Sequence, residues 1–259
     1  MGPDLLLVLA VAGSAAAASL AGGAVSLWMR MTSFRLSLAV GFAGGVLFGA
    51  FAFEMLPKAA EQAGPLAAAA AFAVGFALIY ALDLYVNRGA LAGEKADERA
   101  RVDWIHRRHP PRGSEVSVLA GGTSAEELVE GLSIGVGLAL DPQLGLTVGL
   151  AVAIDNFAES LSIGELCRAE HGGKPTRRVY GWTGLIAASV LLSALAGWFL
   201  LRELTQWALG VLIAVGAGGM FYLAVTDLVP QAESHQFQQS AALAAGAGFL
   251  VLFLVSAAG

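Results

Sequence analysis

Residues 116–166 read VSVLAGGTSAEELVEGLSIGVGLALDPQLGLTVGLAVAIDNFAESLSIGEL. Two apolar runs, Val116–Leu140 and Leu144–Leu166, flank the turn dipeptide Asp141-Pro142, and each carries acids inside otherwise oily sequence. A membrane-crossing helix needs roughly 20 apolar residues to span about 30 Å of hydrocarbon. Each run is long enough to cross, and the Asp-Pro turn makes the two helices antiparallel neighbours.

The rest of the chain agrees with that hairpin. Its 259 residues are 57% hydrophobic and 14% charged, with mean hydropathy +0.70. A soluble domain carries about 25% charged residues, so a soluble enzyme of this size is excluded. The apolar content excludes disorder. Cys167 is the one cysteine, so no internal disulfide forms. A net charge of -5 with no basic cluster outside the loops gives no footing for nucleic acid. Ten-residue strands of alternating hydrophobicity, the barrel signature, are absent.

Reading apolar runs between charged or turn-rich breaks predicts eight spans. They are Leu5–Met29, Leu36–Pro57, Leu66–Val86, Val116–Leu140, Leu144–Leu166, Val179–Leu201, Trp207–Leu228 and Ala241–Ala257. The expected fold is all-α, a polytopic membrane bundle of eight transmembrane helices forming one domain over 1–259 in a 3+2+3 order. The loop 88–115 separates the third and fourth spans. Ala15–Ala18 resembles a leader cleavage region, but Asp4 and the lack of Lys or Arg before Arg30 favour a retained first span. The 33 glycines let helix backbones approach closely and permit a homodimer in the lipid bilayer.

Orientation follows from the loops, because Lys and Arg concentrate on the cytoplasmic side. Loops after spans one, three, five and seven hold thirteen of the 15 basic residues; Lys58 and Arg202 alone face the other side. Those loops are expected in the cytoplasm, with both termini outside the cell membrane. The loop 88–115 also contains Asp103, His106 and His109. The two histidines could hold a metal transiently, although a solvated charged loop is the plainer reading. Asp227, near Pro230, fits a helix end at the inner interface or a step on an exit route, and Glu233 follows it.

The fourth span contains Glu126-Glu127-Leu128-Val129-Glu130-Gly131, and the fifth Asp155-Asn156-Phe157-Ala158-Glu159-Ser160. The two segments align at a constant offset of 29 residues, and both continue Leu-Ser-Ile-Gly. Positions i, i+3 and i+4 share a helix face, so Glu126, Glu127 and Glu130 stack on one helix, and Asp155, Asn156 and Glu159 on the other. A carboxylate at the centre of a span costs about 2.5–3.5 kcal/mol on insertion scales. Five of them cost roughly 12–18 kcal/mol, as much as the net stability of a whole protein. No Lys or Arg lies between Arg112 and Arg168 to neutralise them. A divalent cation does so while favouring the ionised form. Ser133 and Ser162, one turn away, are expected to hydrogen-bond their own helices.

On these motifs the sequence resembles the ZIP family of divalent metal transporters. In that family the fourth span carries His-Asn-x-x-Glu-Gly and the fifth a similar His- or Gln-led motif ending in Glu. Gly41–Gly45 running to Glu54-Met55-Leu56-Pro57 is similar to the family's second span, and Gly216–Leu228 with Pro230 to its seventh. The resemblance implies a binuclear centre. Glu126, Glu130, Asp155 and Glu159 take the first site; Glu127 and Asn156, sharing Glu130 and Glu159, take the second. Glu54 stands where a His is common, as an entry-path carboxylate or an interfacial acid before a helix-ending proline.

Two departures bear on the cargo. Carboxylates replace both leading imidazoles, and Ile186–Leu192 of the sixth span lacks the acid that the family often places there. Oxygen ligands favour harder cations such as manganese, while zinc also accepts carboxylates. The expected cargo is therefore zinc, with manganese or iron as alternatives, moved toward the cytoplasm; no enzymatic activity is expected. Glu126-Glu127 also resembles the paired glutamates of membrane proteases that process prenylated proteins. That motif needs an Arg where Gly131 stands, and none of the four histidines falls within a span. A relative that senses metal without transporting it is the other alternative.

Overall fold

The computed structural model describes residues 3–86, 115–171, 175–228 and 238–258. Asp103, His106, His109, Glu233 and nearly all of the loop 88–115 lie outside the described residues, as do the side chains of His171 and Asp227. Among the described residues the chain forms nine α-helices. They are α1 (Pro3–Trp28), α2 (Ser33–Gly49), α3 (Leu56–Ala63), α4 (Pro65–Val86), α5 (Glu115–Leu140), α6 (Pro142–His171), α7 (Thr176–Leu201), α8 (Gln206–Leu223) and α9 (Gln238–Ala258). Two π-helical segments extend α2 and α8, at Ala50–Met55 and Ala224–Leu228.

Seven helical stretches are long and apolar enough to cross a membrane. The eighth, α5, matches them in length and falls short in composition because it carries Glu126, Glu127 and Glu130. Its polarity is inverted relative to a soluble helix. Leu128 is 49% exposed whereas Glu127 is 1% exposed. Leucines facing outward over buried acids suit lipid rather than water as the solvent.

The expected end of the second span at Pro57 is wrong. Proline removes a backbone donor and crowds the carbonyl four residues back. Here the preceding turn widens, so that the Leu56 N–H reaches the Phe51 carbonyl. The helix then continues to Ala63, and Gly64 ends it with φ +87°. The fifth span likewise runs on to His171, beyond Leu166. Its last turns are pinned by side chains: Glu165 accepts from Met31 N (2.8 Å), Glu170 accepts from Val116 N (3.0 Å), and Arg168 donates to the Ser26 carbonyl.

The helices form two groups. In one, α1, α5, α6 and α7 pack on one another; in the other, α2 packs on α9, and α8 packs on α3 and α4. The groups meet where α5 touches α8 and α2 touches α6. Close seams depend on missing side chains, since lipid offers no hydrophobic drive between helices. At Gly45 of α2 an added Cβ would strike the Ala245 carbonyl of α9, and at Gly135 of α5 one would strike the α7 backbone.

The α5–α6 turn is fixed by Asp141. Its Oδ1 accepts from Gln143 N (2.9 Å), and its Oδ2 pairs with Lys58 Nζ of α3 (2.9 Å), which also meets Glu61. The Lys58 ammonium, aided by the Gln143 amide, holds the Asp141 carboxyl below its ordinary value of 3.8.

Two outcomes follow from this packing. Gly45→Val should destabilise the protein by about 2–3 kcal/mol, lowering its melting temperature in detergent by roughly 5–10 °C. Gly184→Ala, where a Cβ meets nothing within 4 Å, should not. A lowered acid constant stabilises above the unfolded value and is lost as pH falls. The stability advantage over Asp141→Asn should therefore be constant near neutrality and shrink as pH drops below 3.8, read from melting curves across pH.

Candidate metal centre

Distance from Asp141 sets the level of each functional side chain. Glu127 stands fourteen residues before it and Asp155 fourteen after. At about 1.5 Å rise per residue, both lie about 21 Å from the turn. Glu126 and Asn156 are matched in the same way at fifteen residues. Glu130 lies one turn nearer Asp141, and Glu159 one turn farther from it.

All six side chains are buried. Glu127 lies within electrostatic reach of Asp155 and beside the Asn156 amide. Glu130 is in reach of Glu126, Glu127 and Asp155, and Glu159 of all four of the other acids. The two helices thus bring the predicted set into one buried locus. Among the described residues no three of these side chains already stand close enough to hold an ion.

Several atoms at the locus lack satisfaction. Both carboxylate oxygens of Glu127 are enclosed without a well-formed hydrogen bond, and Asn156 offers only a loose contact. Asn156 donates Nδ2 to the Ala15 carbonyl of α1 (3.4 Å), while its Oδ1 has no hydrogen-bond partner. Orientation by α1 therefore frees an oxygen. Buried polar atoms without partners cost about 1–3 kcal/mol each, more for charged groups. They are retained where something else uses them.

Support comes from α7. Ser193 Oγ lies 3.0 Å from the Glu127 carbonyl and 2.7 Å from the Ser189 carbonyl of its own helix, so its hydrogen is shared between α5 and α7 at the level of the acids. Gly131, next to Glu130, lets that approach happen, since a Cβ there would collide with Ser193 Oγ. The sequence points to Ser193 only weakly, as a hydroxyl between Leu192 and Ala194 in a span otherwise read for a missing acid. Sequence reading passed over Thr123 and Ser160, whose hydroxyls are buried without partners. Ser133 and Ser162 bond the Val129 and Ala158 carbonyls of their own helices, as expected.

Glu54 stands apart from the six. It sits in the π-helical segment of the other helix group, half-buried, with Oε1 enclosed and unpartnered. That segment touches α6, yet Glu54 is not among the acids in electrostatic reach of Glu127, Glu130 or Glu159.

Fold and site together define a polytopic helical membrane protein with an acid-lined interior. The chain belongs to the ZIP zinc transporter family, whose model matches residues 108–254, from before α5 into α9. It is similar to the zinc transporter ZupT of Corynebacterium glutamicum, 27% identical over 227 residues that cover 84% of this chain and 85% of the relative. The zinc transporters ZupT of Salmonella newport and Salmonella enteritidis PT4 are each 26% identical over 205 residues, covering 76% of this chain and 75% of the relative. The family is one of transporters rather than enzymes.

Removing the charge at Glu127 should trade binding for stability. Glu127→Gln is expected to raise the melting temperature in the presence of chelator and to diminish the further rise that added zinc produces. Thermal shift in detergent, with and without zinc, checks both halves.

Proposed function

We propose that this protein carries zinc across the cell membrane toward the cytoplasm through the acid locus between α5 and α6. One observation carries the reading: five carboxylates and an amide are buried on two adjacent helices with no basic residue between Arg112 and Arg168 to neutralise them. A doubly charged cargo turns that repulsion into coordination. Glu126, Glu130, Asp155 and Glu159 form the first site, and Glu127 and Asn156 complete a second that shares Glu130 and Glu159. Glu54 serves as an entry-path carboxylate.

The ion enters from outside, exchanges water for carboxylate oxygens, and leaves toward the cytoplasm as the two helix groups shift. Protonation of Glu130 or Glu159 weakens the hold and favours release. The concentration of basic residues in the loops after spans one, three, five and seven supports cytoplasmic placement of those loops and external termini. The whole chain acts as one transmembrane domain, and its glycine-rich faces suit pairing as a homodimer. Carboxylates in place of imidazoles suit manganese as an alternative cargo, and iron is the other alternative.

A metal-sensing relative would bind without flux. The test is therefore uptake by reconstituted vesicles. Zinc should accumulate with the native protein, and Glu130→Ala plus Glu159→Ala should reduce uptake to that of protein-free vesicles. Native-like uptake in the double variant defeats the site assignment. Competition by manganese, iron, cobalt and cadmium in the same vesicles ranks the cargo, and the reading expects manganese and iron to compete.

A further inference from the structure

Thr123 and Ser160 break the habit of their neighbours. A hydroxyl inside a membrane helix usually returns its hydrogen to a carbonyl one turn back. Ser124, Ser162 and Thr183 do so, with distances of 2.7, 3.2 and 3.0 Å. Thr123 is 2% exposed and Ser160 fully buried, yet neither hydroxyl oxygen has a hydrogen-bond partner.

Their placement is matched. Thr123 lies four residues before Glu127 on α5, and Ser160 four after Asn156 on α6, so each occupies the same helix face as a residue of the locus. Thr123 is eighteen residues from Asp141 and Ser160 nineteen, which puts both about 27 Å from the turn. One turn farther, Ala120 and Ile163 close an apolar cluster with Leu27 of α1 and Ile186 of α7. The two orphan hydroxyls thus sit at the level of Glu159, one turn beyond the paired Glu127 and Asn156 and one turn short of that apolar cluster.

We propose that the Thr123 and Ser160 hydroxyls supply neutral oxygen ligands for the cation at the level of Glu159, one helical turn beyond Glu127 and Asn156 on the side of the apolar cluster. The inference rests on the transport reading above. Zinc accepts oxygen ligands; two uncharged ones hold it more weakly than carboxylates, and with Glu159 they serve an ion that has moved off the other acids toward the apolar cluster.

Thr123→Val plus Ser160→Ala removes both hydroxyls and keeps their volume. Zinc flux into phosphatidylethanolamine–phosphatidylglycerol vesicles should fall about tenfold, the order seen when supporting groups of a metal site are lost. Zinc affinity in detergent, read against a fluorescent chelator, should stay within about twofold on the same scale. Thr123→Ser, which keeps the hydroxyl, should retain flux, and so should Ser162→Ala, whose hydroxyl serves its own helix. Native-like flux in the double variant overturns the proposal, as does an equal fall in flux and affinity. Glu130→Ala plus Glu159→Ala, run alongside, separates the two readings. If that pair also transports normally, the acid site itself is misassigned; if it alone fails, only the role of the hydroxyls is lost.

Discussion

Everything in this bundle is arranged around holding like charges together in an oily medium. Water is absent from the middle of a bilayer, so the acids of α5 and α6 have only each other and the neighbouring helices. The chain meets that constraint by geometry first. A two-helix hairpin with a one-residue turn, bonded locally to Gln143 and across to Lys58 of α3, sets the levels of Glu127 and Asp155. Packing comes second: α1 grips Asn156 through the Ala15 carbonyl, and α7 grips the Glu127 backbone through Ser193. The acids are thereby kept in register by neutral groups, which add no competing charge.

Much of this was legible from residues alone. The offset of 29 between the two acidic segments, read with the helical repeat and the Asp141-Pro142 turn, placed six side chains on neighbouring helices, and all six are buried there. What escaped were features that depend on neighbours. Pro57 reads locally as a helix end, and only the widened turn before it shows that the chain carries on to Ala63. The extension of α6 to His171 depends on Glu165, Arg168 and Glu170 finding backbone partners on the α1–α2 connection, α1 and α5, which no periodicity reports. Ser193 and Ser160 looked like ordinary small residues, because a hydroxyl that also reaches a neighbouring helix, or that finds no partner, is identical in sequence to one that bonds only its own helix.

The two π-helical segments give the helix groups different mechanical characters. Both lie in the group built from α2, α3, α4, α8 and α9, and none interrupts α5, α6 or α7. A π turn carries one residue more per loop of hydrogen bonds and is a frequent companion of functional sites. The group holding the acids is therefore made of unbroken helices, while the group against which it packs contains the irregular backbone. Glu54 stands in one of those irregular turns, where the segment touches α6.

The composition of α5 has a consequence for biosynthesis. Three acids at its centre cost roughly 7–10 kcal/mol on the insertion scale, so this segment is a poor passenger when it reaches the translocon alone. Its hairpin partner follows within two residues and is apolar enough to cross by itself. Ribosomal delivery of α6 therefore completes the integration of α5, and the pair enters the bilayer as one unit. The loop that would otherwise separate them has been reduced to a single aspartate.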